Sequence, residues 1–330
     1  ILGDKKMKRY EKIVLEADEG IFFDVSEKEE GKLLIRASHK IGQKAMEIEQ
    51  INHIDVLNTK RFIEKHVYYL YEPGSRPNYM NPPIPNNYEY VKGTWNDGFV
   101  IRRKEDGSEF VWVPVGSLKA NGTLDGKNFD QQFGRRNWCG DDFSENGYYE
   151  PMTEELKRQL VSVEKHGGFY VARYDISMNK HTGRPQAIKQ ELPAIFFLRE
   201  RVMGIADGMK NNSEFVSSHL IYGSEYDSVL QWYIESGEIS KRQVRDKYYK
   251  GIAHYQHKTG TNEDWRANEI CDFSENVLKV TQELWGKKKL AVLRGAKEYQ
   301  YSPAGYRRHV NNESSENYVE FTFRTALYIA

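Results

Sequence analysis

Histidine side chains are the first candidates for chemistry in this chain. His254 and His257 are spaced i, i+3, and a helix can use two histidines at this spacing to bind a metal ion. His309 supplies another imidazole further along the chain. No carboxylate lies beside the first pair, and residues 253–257 have the composition of a loop. We therefore expect solvated histidines here rather than a metal site.

Thiol, calcium and nucleotide chemistry have little support. The two cysteines, Cys139 and Cys271, are too few for a disulfide framework or a cysteine-rich zinc site, and we expect neither to be catalytic. Asn96 and Asp97 offer oxygen ligands, but calcium needs about 6–8 of them and the adjacent sequence does not supply the rest. The chain also lacks a glycine-rich phosphate loop, a G-x-S-x-G turn and an H-E-x-x-H helix. No cofactor is therefore predicted.

A segment near the C-terminus has the composition of a recognition surface. Residues 297–317 combine aromatic and arginine side chains, which anchor interfaces, with asparagine and serine, which form adaptable hydrogen bonds. The predicted ligand-binding residues are Trp285, Lys297, Tyr299, Tyr301, Tyr306, Arg308, His309, Asn311 and Asn312. We expect the tyrosines, Arg308 and His309 to be partly exposed on one side of the domain. The alternatives are an ordinary polar loop and, for Trp285, a side chain that covers the core.

Composition limits the class of partner. The chain of 330 residues has 48 Lys+Arg and 48 Asp+Glu, so its net charge of +0 gives no general attraction to nucleic acid or to an anionic membrane. No run of about 18 apolar residues occurs, so we expect no membrane insertion. Its 22 tyrosines suit a recognition surface, although a codon bias would enrich tyrosine as well.

The elements that must position these residues divide into three regions. Residues 1–71 are predicted to form a small β-rich module with strands near 12–16, 20–24 and 32–36. Residues 72–87 hold five of the ten prolines and are predicted to be an extended linker. Residues 88–330 are predicted to form one large α+β domain.

Within the large domain, local signals predict several elements. A hairpin is predicted from strands at 99–102 and 109–114, and a further strand at 168–174. Helices are predicted at 152–165, where Thr153 can cap the first turn, at 198–211 and at 226–235. Residues 236–268 show little periodicity and are predicted to be long surface loops.

Several short blocks of the large domain resemble one family in their order. They are D-F-S-E-N-V at 272–277, V-L-R-G-A at 292–296 and F-R-T-A-L at 323–327, preceded by F-V-W-V-P-V at 110–115 and G-F-Y-V-A-R-Y-D at 168–175. Together they are similar to the formylglycine-generating (sulfatase-modifying) family. The resemblance implies a C-type-lectin-like fold over residues 88–330. It also implies that Trp112, Phe169, Leu293 and Phe323 are buried on strands, and that Arg294 and Arg324 are hydrogen-bonded.

The departures from the family bear on function. The enzymes of the family use a pair of cysteines near the C-terminus to bind copper, and no cysteine follows Cys271 here. The chain is closer in character to the variable proteins of diversity-generating retroelements, which keep this fold and vary side chains in the segment that corresponds to residues 297–317. That likeness implies a binding protein rather than an enzyme.

The leading hypothesis is thus a non-enzymatic binder of a protein or glycan ligand on a cell surface. It would act on a virion, as a phage tail-associated receptor binder, or on a bacterial surface, and it could form a homo-oligomer; the cytoplasm is an alternative location. Two alternatives stay open. One is a divergent metal-dependent oxidase that uses His254, His257 or His309, and the other is a structural virion component.

Overall fold

In a computed structural model of the chain, the structure describes residues 82–95, 97–115, 133–210, 215–245, 256–295, 303–311 and 319–330, together with three strands between residues 21 and 51. The chain divides into two compact units, residues 1–70 and 71–330. Its helices and sheets place the protein in the α+β class. Among the described residues, every helix is too short or too polar to cross a lipid bilayer.

The first unit contains an antiparallel sheet of three strands. They are β1 (Ile21–Glu29), β2 (Lys32–His39) and β3 (Met46–Ile51), with β2 in the centre. The strands predicted near 20–24 and 32–36 are confirmed and extend further than predicted. The strand predicted at 12–16 lies outside the described residues.

The second unit contains two main sheets and several helices. Its strands are β4 (Tyr88–Lys92), β5 (Val100–Arg103), β6 (Glu109–Pro114), β7 (Tyr148–Tyr149), β8 (Gly168–Ala172), β9 (Ser177–Met178), β10 (Pro185–Gln186), β11 (Val216–Leu220), β12 (Arg266–Ala267), β13 (Ile270–Cys271), β14 (Lys279–Trp285), β15 (Leu290–Arg294), β16 (Arg307–Val310), β17 (Thr322–Phe323) and β18 (Thr325–Ile329). Its helices are α1 (Glu154–His166), α2 (Arg199–Gly208), α3 (Gly223–Glu235) and α4 (Lys241–Arg245), with a 3-10 turn at Glu263–Trp265.

The larger sheet is antiparallel and has the strand order β11-β18-β8-β6-β5-β4. The predicted hairpin is confirmed by β5 and β6, and β8 confirms the strand predicted at 168–174. Strands β6 and β8 are apolar along most of their length because both of their faces are covered. The last strand of the chain, β18, pairs with both β11 and β8, so the C-terminus is part of this sheet.

The smaller sheet positions the predicted binding residues. Its order is β16-β15-β14-β17, and the short strand β7 also pairs with β14. The β14–β17 pair is parallel and the other pairs are antiparallel. The pairing of β14 with β15 has an irregularity between Val280 and Leu284, where the register shifts.

The helices follow local signals in the sequence. Helix α1 begins where the backbone N–H of Leu156 donates to Thr153 Oγ1 at 3.0 Å, and it ends at Gly167, whose φ of 77° favours glycine. Leu156 and Val163 lie on its buried face. Helices α1, α2 and α3 confirm the three predicted helices, with shifts of a few residues at the ends.

The predicted core residues are confirmed. Trp112, Phe169, Leu293 and Phe323 are each 0% exposed and lie on β6, β8, β15 and β17. Arg294 and Arg324 are also fully buried. Both donate to main-chain carbonyl groups, and Arg294 also donates to carboxylates.

The predicted linker overlaps with the second unit. Residues 72–81 lie outside the described residues, but Pro82, Pro83 and Pro85 are buried. The hydroxyl of Tyr170 donates to the Pro83 carbonyl at 2.9 Å. Residues 82–87 are therefore part of the packed domain, which begins before Tyr88.

The structure also corrects the prediction of long loops at 236–268. Helix α4 lies within this range, and Val244 on it is fully buried in the core. The helix begins with a reciprocal cap, because the backbone N–H of Gln243 donates to Ser240 Oγ and the backbone N–H of Ser240 donates to Gln243 Oε1. Residues 246–255 lie outside the described residues.

Candidate functional site

The structure describes five of the nine predicted ligand-binding residues: Trp285, Tyr306, Arg308, His309 and Asn311. The other four, Lys297, Tyr299, Tyr301 and Asn312, lie outside the described residues. The five come from the end of β14, from β16 and from the residues that flank β16. The order of the smaller sheet therefore brings a residue before the segment 297–317 close to residues within it.

Trp285 and His309 stack on each other across β15. Trp285 pairs with Leu290, and His309 pairs with Val292 two residues along the same strand. Residues that are directly opposite share a face of the sheet, and so do residues two apart in a strand, which places both rings on one face. Their centroids are 3.8 Å apart and their planes differ by 6°. Val292 beneath them is fully buried.

Tyr148 completes this aromatic group, although it was not among the predicted residues. It lies on β7 directly opposite Trp285. Its hydroxyl donates to the carbonyl of Arg307 at 3.2 Å and lies 3.4 Å from Nδ1 of His309. We call Tyr148, Trp285 and His309 the aromatic trio.

The members of this region differ in exposure and direction. His309 and Asn311 are exposed, Tyr306 is 40% exposed, and Trp285 and Arg308 are half-buried. Arg308 pairs with Leu293 and is next to His309 in the strand, so its side chain leaves the opposite face of β16. The structure thus brings Trp285 and His309 together and turns Arg308 away from them.

A buried network of ion pairs holds β16 in place beside the aromatic trio. The guanidinium of Arg307 donates from Nε to Glu283 at 3.0 Å, and it also donates to Asp227. Arg294 donates to Glu283 at 3.1 Å and to Asp227 at 2.5 Å. All four side chains are fully buried. These two arginines and two carboxylates balance in charge, and Asp141, at 2.8 Å from Arg307, and Arg135, at 3.7 Å from Glu283, add one charge of each sign. Such a balance is the condition under which buried ions are tolerated.

The network also fixes main-chain atoms of the candidate surface. Nε of Arg294 donates to the carbonyl of Tyr306 at 3.2 Å. Helix α3 supplies Asp227, and Gly223 at its start leaves room for Glu283, since a Cβ atom there would lie 2.0 Å from the Glu283 carboxyl carbon. Side chains at Tyr306 and His309 can therefore change without loss of the atoms that hold their backbone.

Electrostatics follow from this arrangement. Burial opposes ionisation of Asp227, but the charges of Arg294 and Arg307 outweigh burial and hold the pKa of Asp227 below its usual value. Burial and the positive charge of Arg308 lower the pKa of His309. His309 is therefore a neutral imidazole at physiological pH, and in the tautomer that carries its proton on Nδ1 it can donate a hydrogen bond to the hydroxyl oxygen of Tyr148.

The histidines considered for metal binding are not brought together in the described structure. His254 lies outside the described residues, and the ring of His257 meets that of Trp265 edge-on at 5.5 Å. His309 is part of the aromatic trio. No group of three or more His, Cys, Asp or Glu side chains in the described part of the chain could hold a metal ion.

The two cysteine thiols lie in surroundings that keep them protonated. Cys139 is half-buried and Cys271 is buried, and burial raises the pKa of each thiol to about 11, so both are protonated at neutral pH.

In the early calcium-type motif, Trp95 is buried, and Asp97 accepts a hydrogen bond from the Thr94 hydroxyl at 2.6 Å. Asn96 lies outside the described residues.

The chain was also compared with known proteins. No model of a protein family, no curated protein and no solved structure gives a significant match to it.

Proposed function

We propose that the chain is a non-enzymatic binding protein with a C-type-lectin-like fold, and that it recognises a protein or glycan ligand on a cell surface. The observation that carries the proposal is the parallel stack of Trp285 and His309 at 3.8 Å, on a strand held by the buried network of Arg294, Arg307, Asp227 and Glu283. The ligand would contact the aromatic trio together with Tyr306 and Asn311.

The rigidity of the aromatic trio supports a binding role. Binding energy at interfaces is concentrated in a few aromatic and arginine anchors, and it is reduced by the entropy of side chains that become ordered. Trp285 and His309 hold each other in place, and Tyr148 contacts His309 from a third strand. These rings are thus ordered before a ligand arrives, which favours affinity.

The fold part of the proposal is supported by the two arginines in the blocks that resemble the family. Arg294 belongs to the V-L-R-G-A block and Arg324 to the F-R-T-A-L block, and both are buried and donate to main-chain carbonyl groups. A structural role explains why arginine stands at these positions. The fold, the surface location and a variable role of residues 297–317 belong to the proposal as a whole.

The test measures binding of the labelled full chain to whole bacterial cells and to immobilised glycans. The variants Trp285→Ala and His309→Ala should each weaken binding by at least about tenfold, because both remove an anchor of the aromatic trio. His181→Ala is the matched control, since His181 is an exposed histidine in the turn between β9 and β10 and should leave binding unchanged.

Two results would contradict the proposal. One is wild-type protein that binds neither cells nor glycans. The other is binding that survives both substitutions in the aromatic trio.

Metal analysis of the purified protein tests the oxidase alternative, because a stoichiometric metal ion with redox activity would favour an enzyme. A reverse transcriptase gene beside a near-copy of the 3′ end of this gene would support diversification.

A further inference from the structure

A buried cluster of charged side chains lies at the opposite end of β14 from Trp285. Asp175 follows β8, Lys279 is the first residue of β14, and Arg324 lies between β17 and β18. These three side chains are 0% exposed, and Glu275 beside them is 1% exposed. The proposed ligand-binding function gives this cluster no role.

The cluster places an amine beside a carboxyl group. Nζ of Lys279 lies 3.3 Å from Oδ2 of Asp175, and a guanidinium nitrogen of Arg324 lies 2.8 Å from Oδ1. The Lys279 amine also donates to the main-chain carbonyls of Asp272, at 2.6 Å, and of Glu275. These contacts hold the amine in place beside the Asp175 carboxyl group.

Burial favours the uncharged forms of both groups. It lowers the pKa of Lys279, against the charge of Asp175, and it raises the pKa of Asp175, against the charges of Lys279 and Arg324. It also raises the pKa of Glu275 to about 8. The Oε2 atom of Glu275 accepts a hydrogen bond from the Ser274 N–H at 2.9 Å, whereas its Oε1 is buried without a hydrogen-bond partner among the described residues.

From this geometry we infer that Lys279 and Asp175 condense to form an intramolecular amide crosslink. The neutral Nζ of Lys279 attacks Cγ of the protonated Asp175 carboxyl, and a C–N bond forms. The bond from Cγ to Oδ2 then breaks, and the Oδ2 hydroxyl leaves as water with one hydrogen taken from the amine. The reaction needs no oxidant, reductant or other co-reactant.

Arg324 and Glu275 have separate roles in this step. The positive charge of Arg324 lies 2.8 Å from Oδ1, the oxygen on which negative charge develops in the tetrahedral intermediate, and so stabilises that intermediate. Glu275, whose main-chain carbonyl accepts a hydrogen bond from the Lys279 amine and whose Oε1 has no hydrogen-bond partner among the described residues, carries the proton from the amine towards the leaving hydroxyl. Condensation removes one amine and one carboxyl group together, so the net charge of the cluster is unchanged.

The amide has a clear structural effect. It joins Asp175, three residues after the end of β8 in the larger sheet, to the first residue of β14 in the smaller sheet. The loop that it closes contains α2, α3 and α4. A crosslink that closes a long loop lowers the entropy of the unfolded chain and therefore stabilises the folded one.

The test uses the reduced full chain and denaturing mass spectrometry. We expect a mass that is one water molecule below that of the 38.6 kDa sequence. Cyanogen bromide cleaves after methionine, and the chain has methionine at Met152, Met178 and Met209 but at no position after Met209. Fragment 153–178, which contains Asp175, should therefore remain attached to fragment 210–330, which contains Lys279. Separate fragments, or a full sequence mass after prolonged incubation of the folded protein, would overturn the inference.

Variants test the assignment of atoms. Lys279→Arg keeps the positive charge but removes the nucleophile, so its two fragments should separate, whereas Lys289→Arg, at an exposed lysine, should stay crosslinked. Glu275→Gln should slow the appearance of the crosslink after induction by about 100-fold, the usual scale for loss of an acid–base group. A folded Glu275→Gln chain that crosslinks at the wild-type rate would contradict the role of Glu275. If Lys279→Arg does not fold, the cyanogen bromide fragments of the wild-type chain still show whether the crosslink is present.

Discussion

The imidazole of His309 lies parallel to the indole of Trp285. Burial and the positive charge of the nearby Arg308 lower the pKa of His309 and therefore favour the neutral form of the ring. The stack joins β16 to β14 across β15. Its two members are separated in the sequence by the whole of β15 and by residues 295–306. The protonation state of one ring therefore affects a contact between non-adjacent strands.

The first prediction concerns this titration. The pKa of His309 in the folded protein should lie below the usual value of about 6.5, and the ring should gain its proton only as the solution becomes more acidic. NMR titration of the histidine ring protons, assigned with His309→Gln, measures the midpoint. Arg308→Gln removes one of the two causes and should raise the midpoint, whereas Arg158→Gln, at an exposed arginine on α1, should not. A midpoint at or above the usual value would contradict the prediction.

The second prediction concerns the buried ion network. Glu283→Ala removes the carboxylate that pairs with both Arg294 and Arg307, so Arg294 keeps only Asp227 and Arg307 keeps Asp227 and Asp141. Removal of one partner from a buried ion pair typically lowers the free energy of unfolding by about 3–5 kcal/mol, because a charge stays buried without compensation. Urea denaturation measures the change.

The matched control for Glu283 is a surface carboxylate. Glu263 pairs with Arg266 at 2.9 Å, and its side chain is 63% exposed. Glu263→Ala should therefore change the free energy of unfolding by less than about 1 kcal/mol. Equal effects of the two substitutions would mean that the network does not hold the candidate surface together.

The sequence is sufficient to predict elements whose signals are local. Helix α1 has its capping residue, Thr153, and its terminating glycine, Gly167, within a few residues of the apolar positions. Helix α4 was not predicted, although it also has a capping residue next to its first turn. Ser240 and Gln243 have the spacing of a capping box, but the helix is only five residues long and its periodicity is too short to recognise.

The candidate site was predictable only in part, for a physical reason. Composition identifies Trp285 and His309 as candidates, but their contact depends on strand register, which pairs His309 with Val292 and Trp285 with Leu290. Tyr148 could not be found in this way, because β7 has only two residues and its partner β14 is distant in the sequence. Charged residues such as Glu283 are normally placed at the surface, and only tertiary structure shows that arginines compensate this one in the core.

The third prediction concerns the terminal block of the chain. Phe323 is fully buried, and its ring meets that of Phe196 edge-on at 5.5 Å. Phe323→Ala should lower the free energy of unfolding by about 3–5 kcal/mol, because it removes a buried aromatic side chain and leaves a cavity. Chemical denaturation measures the loss, and Phe197→Ala, at a residue that is 40% exposed, is the control. A loss well below about 1 kcal/mol for Phe323→Ala would show that the block does not support the core.

The last prediction concerns His219, which is buried beside Glu225 with Nε2 2.8 Å from Oε1. Burial alone would lower the pKa of His219, but the charge of Glu225 and their hydrogen bond outweigh burial and raise it. A raised folded-state pKa stabilises the protein most below the unfolded value of about 6.5, and that contribution disappears as the pH rises through the folded-state pKa. Urea denaturation should therefore show that the wild-type protein exceeds His219→Gln in stability by more at about pH 6 than at about pH 9. His181→Ala, which changes an exposed histidine, should follow the wild-type pH profile. If the advantage over His219→Gln stays constant or grows as the pH rises, the buried imidazole is neutral, and its contact with Glu225 is an ordinary hydrogen bond.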